Sequence, residues 1–202
     1  MSMISRETKE TQIHVTLTPG SGIADVQTGI RFLDHMLVTL ARYAGLDLHI
    51  RARGDLRHHL IEDVAICIGA AVLELVPPSA ARYGDRTIPM DDALVHCALD
   101  VGGRPYYRGS LPSTLYDHWM RSFADNANVT LHLRVLCGTD RHHIIEAAFK
   151  ALGFALREAL TDSGDNGVVF STKGAVRLRE PESSAVGEAP ASLSSTRREL
   201  ST

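Results

Sequence analysis

The sequence predicts an α+β fold built as two tandem, similar sheet-plus-helix halves. Three observations carry this: a globular composition over 202 residues, a repeat marked by the histidines, and hydrophobic periods that switch between strand and helix in the same order twice. With 44% hydrophobic and 22% charged residues the chain can bury a sizeable core, which excludes a fibrous, collagen-like or wholly disordered protein. The formal net charge of −3 provides no global positive field, so neither nucleic acid nor an anionic membrane is an expected partner. No window approaches the ~18 consecutive apolar residues of a membrane span, and the opening MSMISRETKE lacks the apolar core of a secretion signal. A cytoplasmic location is the expectation. Cys67, Cys97 and Cys137 form no Cys-x-x-Cys pair, so they read as reduced packing residues and not as a disulfide or zinc framework.

The repeat is written in the histidines. Leu33-Asp34-His35 matches Tyr116-Asp117-His118, and Leu48-His49-Ile50-Arg51 matches Leu131-His132-Leu133-Arg134, both at an offset of 83 positions. His58-His59-Leu60-Ile61-Glu62 matches His142-His143-Ile144-Ile145-Glu146 at 84, and His14 matches His96 at 82. All ten histidines therefore have a counterpart, which an incidental scatter would not produce. The chain divides into a first half at 1–90, a second at 91–178 and a tail at 179–202, whose six serines and lack of aromatic residues read as disordered.

Each element follows from local pattern. Residues 13–17 alternate as a strand and Pro19-Gly20-Ser21-Gly22 turns the chain. Phe32, Met36, Leu37 and Leu40 share one stripe of a helix over 32–43 that stops near Gly45. Residues 46–52 alternate again, Gly54-Asp55 turns, and a long apolar helix runs over 61–76 to Pro77-Pro78. The second half repeats the order with a strand at 93–100, a helix near 117–127, a strand at 129–136, a turn at Gly138 and a helix at 143–160.

In His58-His59-x-x-Glu62, at the start of a helix, His58 and Glu62 stand four apart and so share one face, within reach of a single cation. His59 points ~100° away. The same holds for His142, Glu146 and His143. With His35 and His118, each half offers three imidazoles and one carboxylate. Adjacent histidines do not converge easily on one ion, so two metal sites are expected, each mixing ligands from different segments. Imidazole and carboxylate without thiolate suit manganese, iron, cobalt, nickel or zinc. Asp34 and Asp117 are expected to orient the neighbouring histidines. His14, His49, His96 and His132 read as structural, and Asp63 has Ala147 as its counterpart, which argues against a shared ligand role. Arg82, Arg104 and Ser171-Thr172-Lys173-Gly174 are candidates to hold a phosphate. At this level a metal-storing module and a dinuclear metallohydrolase remain alternatives to a lyase.

Phe32-Leu33-Asp34-His35-Met36-Leu37, His58-His59-x-x-Glu62-Asp63, Asp117-His118, Arg121-Ser122-Phe123-Ala124 and the run from His142 to Ala151 follow one another in an order that resembles the imidazoleglycerol-phosphate dehydratases of histidine biosynthesis. Arg6-x-Thr8-Lys9-Glu10-Thr11, Gly103-Arg104-Pro105-Tyr106 and Ser171-Thr172-Lys173-Gly174 extend the resemblance over about 6–178. It implies halves like the second domain of ribosomal protein S5, and a homo-oligomeric cage of twenty-four subunits built from trimers with active sites between subunits. It also implies two Mn2+ per active site, one on His35, His59, His142 and Glu146 and the other on His58, Glu62, His118 and His143. The implied reaction dehydrates imidazole glycerol phosphate to imidazole acetol phosphate, with Glu10 as base and Arg82, Arg104, Ser171, Thr172 and Lys173 on the phosphate. The sequence departs from the family pattern in a short loop before His58, and in Leu60, Asp117 and Trp119, where threonine, glutamate and phenylalanine are usual.

Overall fold

Two four-stranded sheets of identical connectivity organise the chain in a computed structural model that describes residues 1–164. The first half holds β1 (Ser2–Glu7), β2 (Thr11–Pro19), β3 (Ala24–Gln27), α1 (Arg31–Ala44), β4 (Leu46–Gly54) and α2 (Arg57–Leu75). The second holds β5 (Tyr83–Met90), β6 (Ala93–Asp100), β7 (Tyr106–Arg108), α3 (Thr114–Asn126), β8 (Thr130–Cys137) and α4 (Arg141–Ala159). The strand orders are β1-β2-β4-β3 and β5-β6-β8-β7. In each sheet the last-named strand runs parallel to its neighbour and the other pairings are antiparallel.

The predicted strands and helices are present and the elements missing from the sequence reading are β1, β3, β5 and β7. All four are edge strands. They have one neighbour instead of two and carry Pro89, Gly84 or several polar residues, so their apolar alternation is weak. Because β5 pairs with β6, the second sheet begins at Tyr83, inside the 1–90 segment. The histidine offset measures spacing and not where a half starts. The expected tail at 179–202 lies outside the described residues.

Alternation places Ile13, Val15 and Leu17 of β2 and Val95, Cys97 and Leu99 of β6 in the core, with Gln12, His14, Thr16 and Thr18 of β2 and Leu94, His96 and Ala98 of β6 on the opposite sheet face. Helix α1 buries Leu33, Met36, Leu37, Leu40 and Ala44 and ends at Gly45, whose φ of 67° only glycine adopts without strain. The helices pair across the halves, α1 against α4 and α2 against α3. That exchange sets the site: the N-terminus of α2 meets α3, and the N-terminus of α4 meets α1. Asp140 caps α4 by accepting hydrogen bonds from the amides of His142 and His143, whereas Leu56 offers α2 no side-chain cap.

Candidate metal centre

The α1–α4 contact brings together residues 111 positions apart. His35 Nε2 lies 3.0 Å from Glu146 Oε2, and His142 Nε2 lies 3.0 Å from the same oxygen. These three residues each present a ligand atom within 4.8 Å of the others. Lys150, one turn further along α4, meets Glu146 Oε1 at 2.9 Å. Burial alone would raise the Glu146 pKa, but hydrogen bonds from Lys150, His35 and His142 outweigh it and lower the carboxyl to about 2. The side chain is thus an ionised carboxylate with two imidazoles converging on one oxygen, a donor set that fits a divalent cation of the manganese-to-zinc series.

The symmetry-equivalent contact joins α2 to α3. His58 Nε2 lies 3.3 Å from Glu62 Oε2, and the His58 and His118 rings are 6.1 Å apart, against 6.0 Å for His142 and His35. Three of the four residues of each expected ligand set are therefore neighbours. The fourth is not. His59 turns to Asp55, with Nδ1 2.9 Å from Oδ1, and to Glu10 at 3.6 Å. His143 turns to Asp92 at 2.8 Å and to Asp91 at 3.3 Å. The hydrogen bond to Asp55 raises the His59 pKa against the opposing effect of partial burial, and the bond to Asp92 does the same for His143. The ~100° divergence of adjacent helical residues is realised, and within one chain it separates His59 and His143 from the sets that include His35 and His118.

Glu10 stands in the turn between β1 and β2. Thr8 Oγ1 accepts from the amides of Glu10 and Thr11, and Thr11 Oγ1 donates to Asp63 Oδ2 on α2 at 2.5 Å. Arg6 Nε faces the other Asp63 oxygen at 3.2 Å, an ion pair without hydrogen-bond alignment. Asp63 is 8% exposed and so fixes the β1–β2 turn to the helix that carries His58 and His59.

Asp34 and Asp117 do not orient histidines. Asp34 accepts from the amide and hydroxyl of Thr28, and Asp117 accepts from the Leu111 amide and the Tyr107 hydroxyl. Both carboxylates pin the loop that enters their helix, a use that their sequence position next to a ligand histidine conceals. Arg82 adopts φ 75° and forms a two-pronged ion pair with Asp100, at 2.8 and 3.0 Å, at the edge of the second sheet. Arg104 is exposed, and its carbonyl accepts from Thr130 Oγ1. Ser171, Thr172 and Lys173 lie outside the described residues. Sequence reasoning missed Lys150 and Asp55, although spacings of four from Glu146 and from His59 were available to find them. Asp92 and Asp91, 50 or so residues from His143, left no local signal.

A family model described as "Imidazoleglycerol-phosphate dehydratase" matches residues 28–156, the span from the loop before α1 into the last turn of α4. The chain belongs to the imidazoleglycerol-phosphate dehydratase family. It is 45% identical over 190 residues to the imidazoleglycerol-phosphate dehydratase of Methanosarcina mazei, covering 86% of this chain and 98% of the relative. It is 42% identical over 188 residues to the chloroplastic imidazoleglycerol-phosphate dehydratase 1 of Arabidopsis thaliana, covering 85% and 70%. The crystal structure of the Pyrococcus furiosus dehydratase in complex with (S)-C348 is similar with a TM-score of 0.77 at 39% identity, over 86% of this chain and all of that one. The Staphylococcus aureus dehydratase gives 0.73 at 35% identity, over 80% and 98%. The duplicated sheet-plus-helix architecture is thus that of the imidazoleglycerol-phosphate dehydratases. Among the described residues no helix is long and apolar enough to cross a membrane.

Proposed function

We propose that this chain is a metal-dependent hydro-lyase of histidine biosynthesis that converts imidazole glycerol phosphate to imidazole acetol phosphate. The observation that carries the reading is the convergence of His35, His142 and Glu146 within 4.8 Å in a chain of this family. We assign two Mn2+ per active site, one to His35, His142, Glu146 and a His59, the other to His58, Glu62, His118 and a His143. Since His59 and His143 turn away from those sets in their own chain, we take them from neighbouring subunits, which makes the active unit a homo-oligomer, a twenty-four-subunit cage built from trimers. The three cysteines are free, in keeping with the reducing cytoplasm.

The leaving hydroxyl sits on the carbon next to the imidazole ring, and the proton to be lost sits on the following carbon with no carbonyl beside it. Divalent cations held by these imidazoles and carboxylates would supply the positive charge that lets the substrate ring accept electrons. Everything else falls to the chain. Glu10 takes the carbon-bound proton, and the turn held by Thr8, Thr11 and Asp63 fixes its carboxylate beside His59. The hydroxyl departs with the C–O electron pair and, with the proton taken by Glu10, makes up the water lost; the enol that remains tautomerises to the ketone. Arg82, Arg104, Ser171, Thr172 and Lys173 hold the phosphate, with Arg82 preset by Asp100.

The reading is tested by assaying the purified full chain with Mn2+ on imidazole glycerol phosphate before and after chelation. Ketone should form, cease with chelator and resume with added metal. A chain that binds Mn2+ and forms no ketone would end this reading in favour of metal storage.

A further inference from the structure

We propose that the outer face of the second sheet carries a binding groove for a phosphorylated small molecule, centred on Arg108 and Arg134. A groove of about 540 Å³ opens there, lined by Arg108, Ser110, His132 and Arg134 together with the adjoining backbone. That volume is in the range of a small-molecule site, roughly 300–1,000 Å³. Tyr107, Leu131 and Leu133 point to the core, where α3 packs on β7, so the alternating residues 108, 132 and 134 face away from the helices that carry the imidazoles.

The first half supplies an internal control. Asp25, Gln27, His49 and Arg51 lie 83 positions before Arg108, Ser110, His132 and Arg134; Asp25, His49 and Arg51 hold the same strand positions as Arg108, His132 and Arg134, while Ser110 lies just past the end of β7. Asp25 pairs with His49 across β3 and β4 as Arg108 pairs with His132 across β7 and β8, and His14 faces Arg51 as His96 faces Arg134. A groove of about 430 Å³ forms there too, lined by Gln12, His14, Gln27, Arg51 and Arg53.

Among these four pairs the charge differs at one. In the first half Asp25 Oδ2 takes Arg51 Nη2 at 2.5 Å and His49 Nδ1 at 3.2 Å, so those two cations are neutralised internally, while Arg53 donates to the Gln12 side-chain oxygen. In the second half arginine stands where that aspartate would be. Among the described residues no acidic side chain lines the groove, and neither Arg108 nor Arg134 has an ion-pair partner. Two guanidinium forks, an imidazole and the Ser110 hydroxyl on one concave surface match a phosphate monoester, a dianion that accepts hydrogen bonds on three oxygens.

The test is calorimetric titration of the Mn2+-loaded full chain with glycerol 3-phosphate at fixed ionic strength. Two equivalents per chain are expected, one on the residues assigned above to the substrate phosphate and one in this groove. Arg108→Asp, which restores the first-half charge pattern, should weaken the groove equivalent at least tenfold with turnover unchanged, and Arg134→Gln should weaken it similarly. Asp25→Arg should create a further equivalent. Isotherms of Arg108→Asp and Arg134→Gln that superimpose on the wild type overturn the groove. If Arg104→Ala alone removes all binding, the groove is overturned while the proposed function stands.

Discussion

Gly153 of α4 lies directly under the Leu40 carbonyl of α1: a Cβ placed on it would stand 3.0 Å from that oxygen, 3.1 Å from the Ala44 nitrogen and 2.8 Å from the Tyr43 Cβ. At its counterpart 84 positions earlier, Gly69 of α2, a Cβ would stand 2.7 Å from the Phe123 carbonyl of α3 and 3.0 Å from the nitrogen of Ala127, which caps α3. The duplicated glycines are what let the helices cross between halves closely enough for His35 to reach Glu146. Alanine here forfeits its usual helical advantage of ~1 kcal/mol, because two of the three atoms it meets are rigid backbone. Gly153→Ala should destabilise the chain by about 1–3 kcal/mol, as overpacked cores do, and should weaken Mn2+ binding by parting α1 from α4. Denaturant unfolding followed by metal titration checks both, and unchanged values in both would show that the crossing has slack.

Glu146→Gln tests the centre itself. The variant keeps the shape but withdraws the negative charge that two imidazoles and Lys150 share, so bound Mn2+ and ketone formation should disappear together. The metal-free chain offers a second readout. A carboxyl whose pKa falls from 4.5 unfolded to about 2 folded adds stability that is fully present above pH 4.5 and is lost as the pH falls towards 2. Wild-type stability should therefore fall more steeply over that window than the stability of Glu146→Gln. Parallel curves would show that Glu146 is not ionised as described.

Metal loading should also depend on pH through His59 and His143. An imidazole must shed its proton to ligate, and both have raised pKa values because Asp55 and Asp92 stabilise the protonated ring. Mn2+ binding should weaken as pH falls through the histidine range. Asp55→Asn, which removes the partner of His59, should shift the loading curve to lower pH. A loading curve that does not move would mean that His59 takes no part in binding.

Most of the centre could be read from the chain because helical spacing is local. His58 with Glu62 and His142 with Glu146 follow from a separation of four residues, and their tie to His118 and His35 follows from the repeat. What could not be read is where a side chain goes when two partners compete. Asp34 precedes His35 in sequence, yet its nearest donors are the Thr28 amide and hydroxyl across the entry loop. Likewise β1 and β5 earn their place in the sheets through one neighbour each, with alternation too weak to stand out from a loop. Tertiary pairing decides such cases, and sequence period does not encode it.

Trp119 presents a different question of packing. It is fully buried, stacked on Phe123 at 5.4 Å and 3° and against Phe149 at 4.7 Å, while among the described residues its Nε1 has no hydrogen-bond partner. An unpaired buried N–H costs about 1–3 kcal/mol. Trp119→Phe removes that cost and leaves a small void, so its stability should stay within about 1 kcal/mol of the wild type. Trp119→Ala should lose about 3–5 kcal/mol. A large loss in the phenylalanine variant would mean that the indole N–H is satisfied in solution.

Asp63 should matter for rate more than for metal. It is buried on α2, takes the Thr11 hydroxyl on one oxygen and faces Arg6 on the other, and through Thr11 and Thr8 it holds the turn that carries Glu10. Asp63→Asn retains the volume and one acceptor but loses the charge facing Arg6, so the turn should loosen without disturbing His58, Glu62 or His118. A base displaced by ~1 Å can cost about a hundredfold in rate. We expect kcat to fall at least tenfold, with KM and bound Mn2+ close to wild type. Loss of metal along with turnover would place Asp63 in support of the ligands, and full turnover would remove Glu10 from the reaction or show that its turn is held by other contacts.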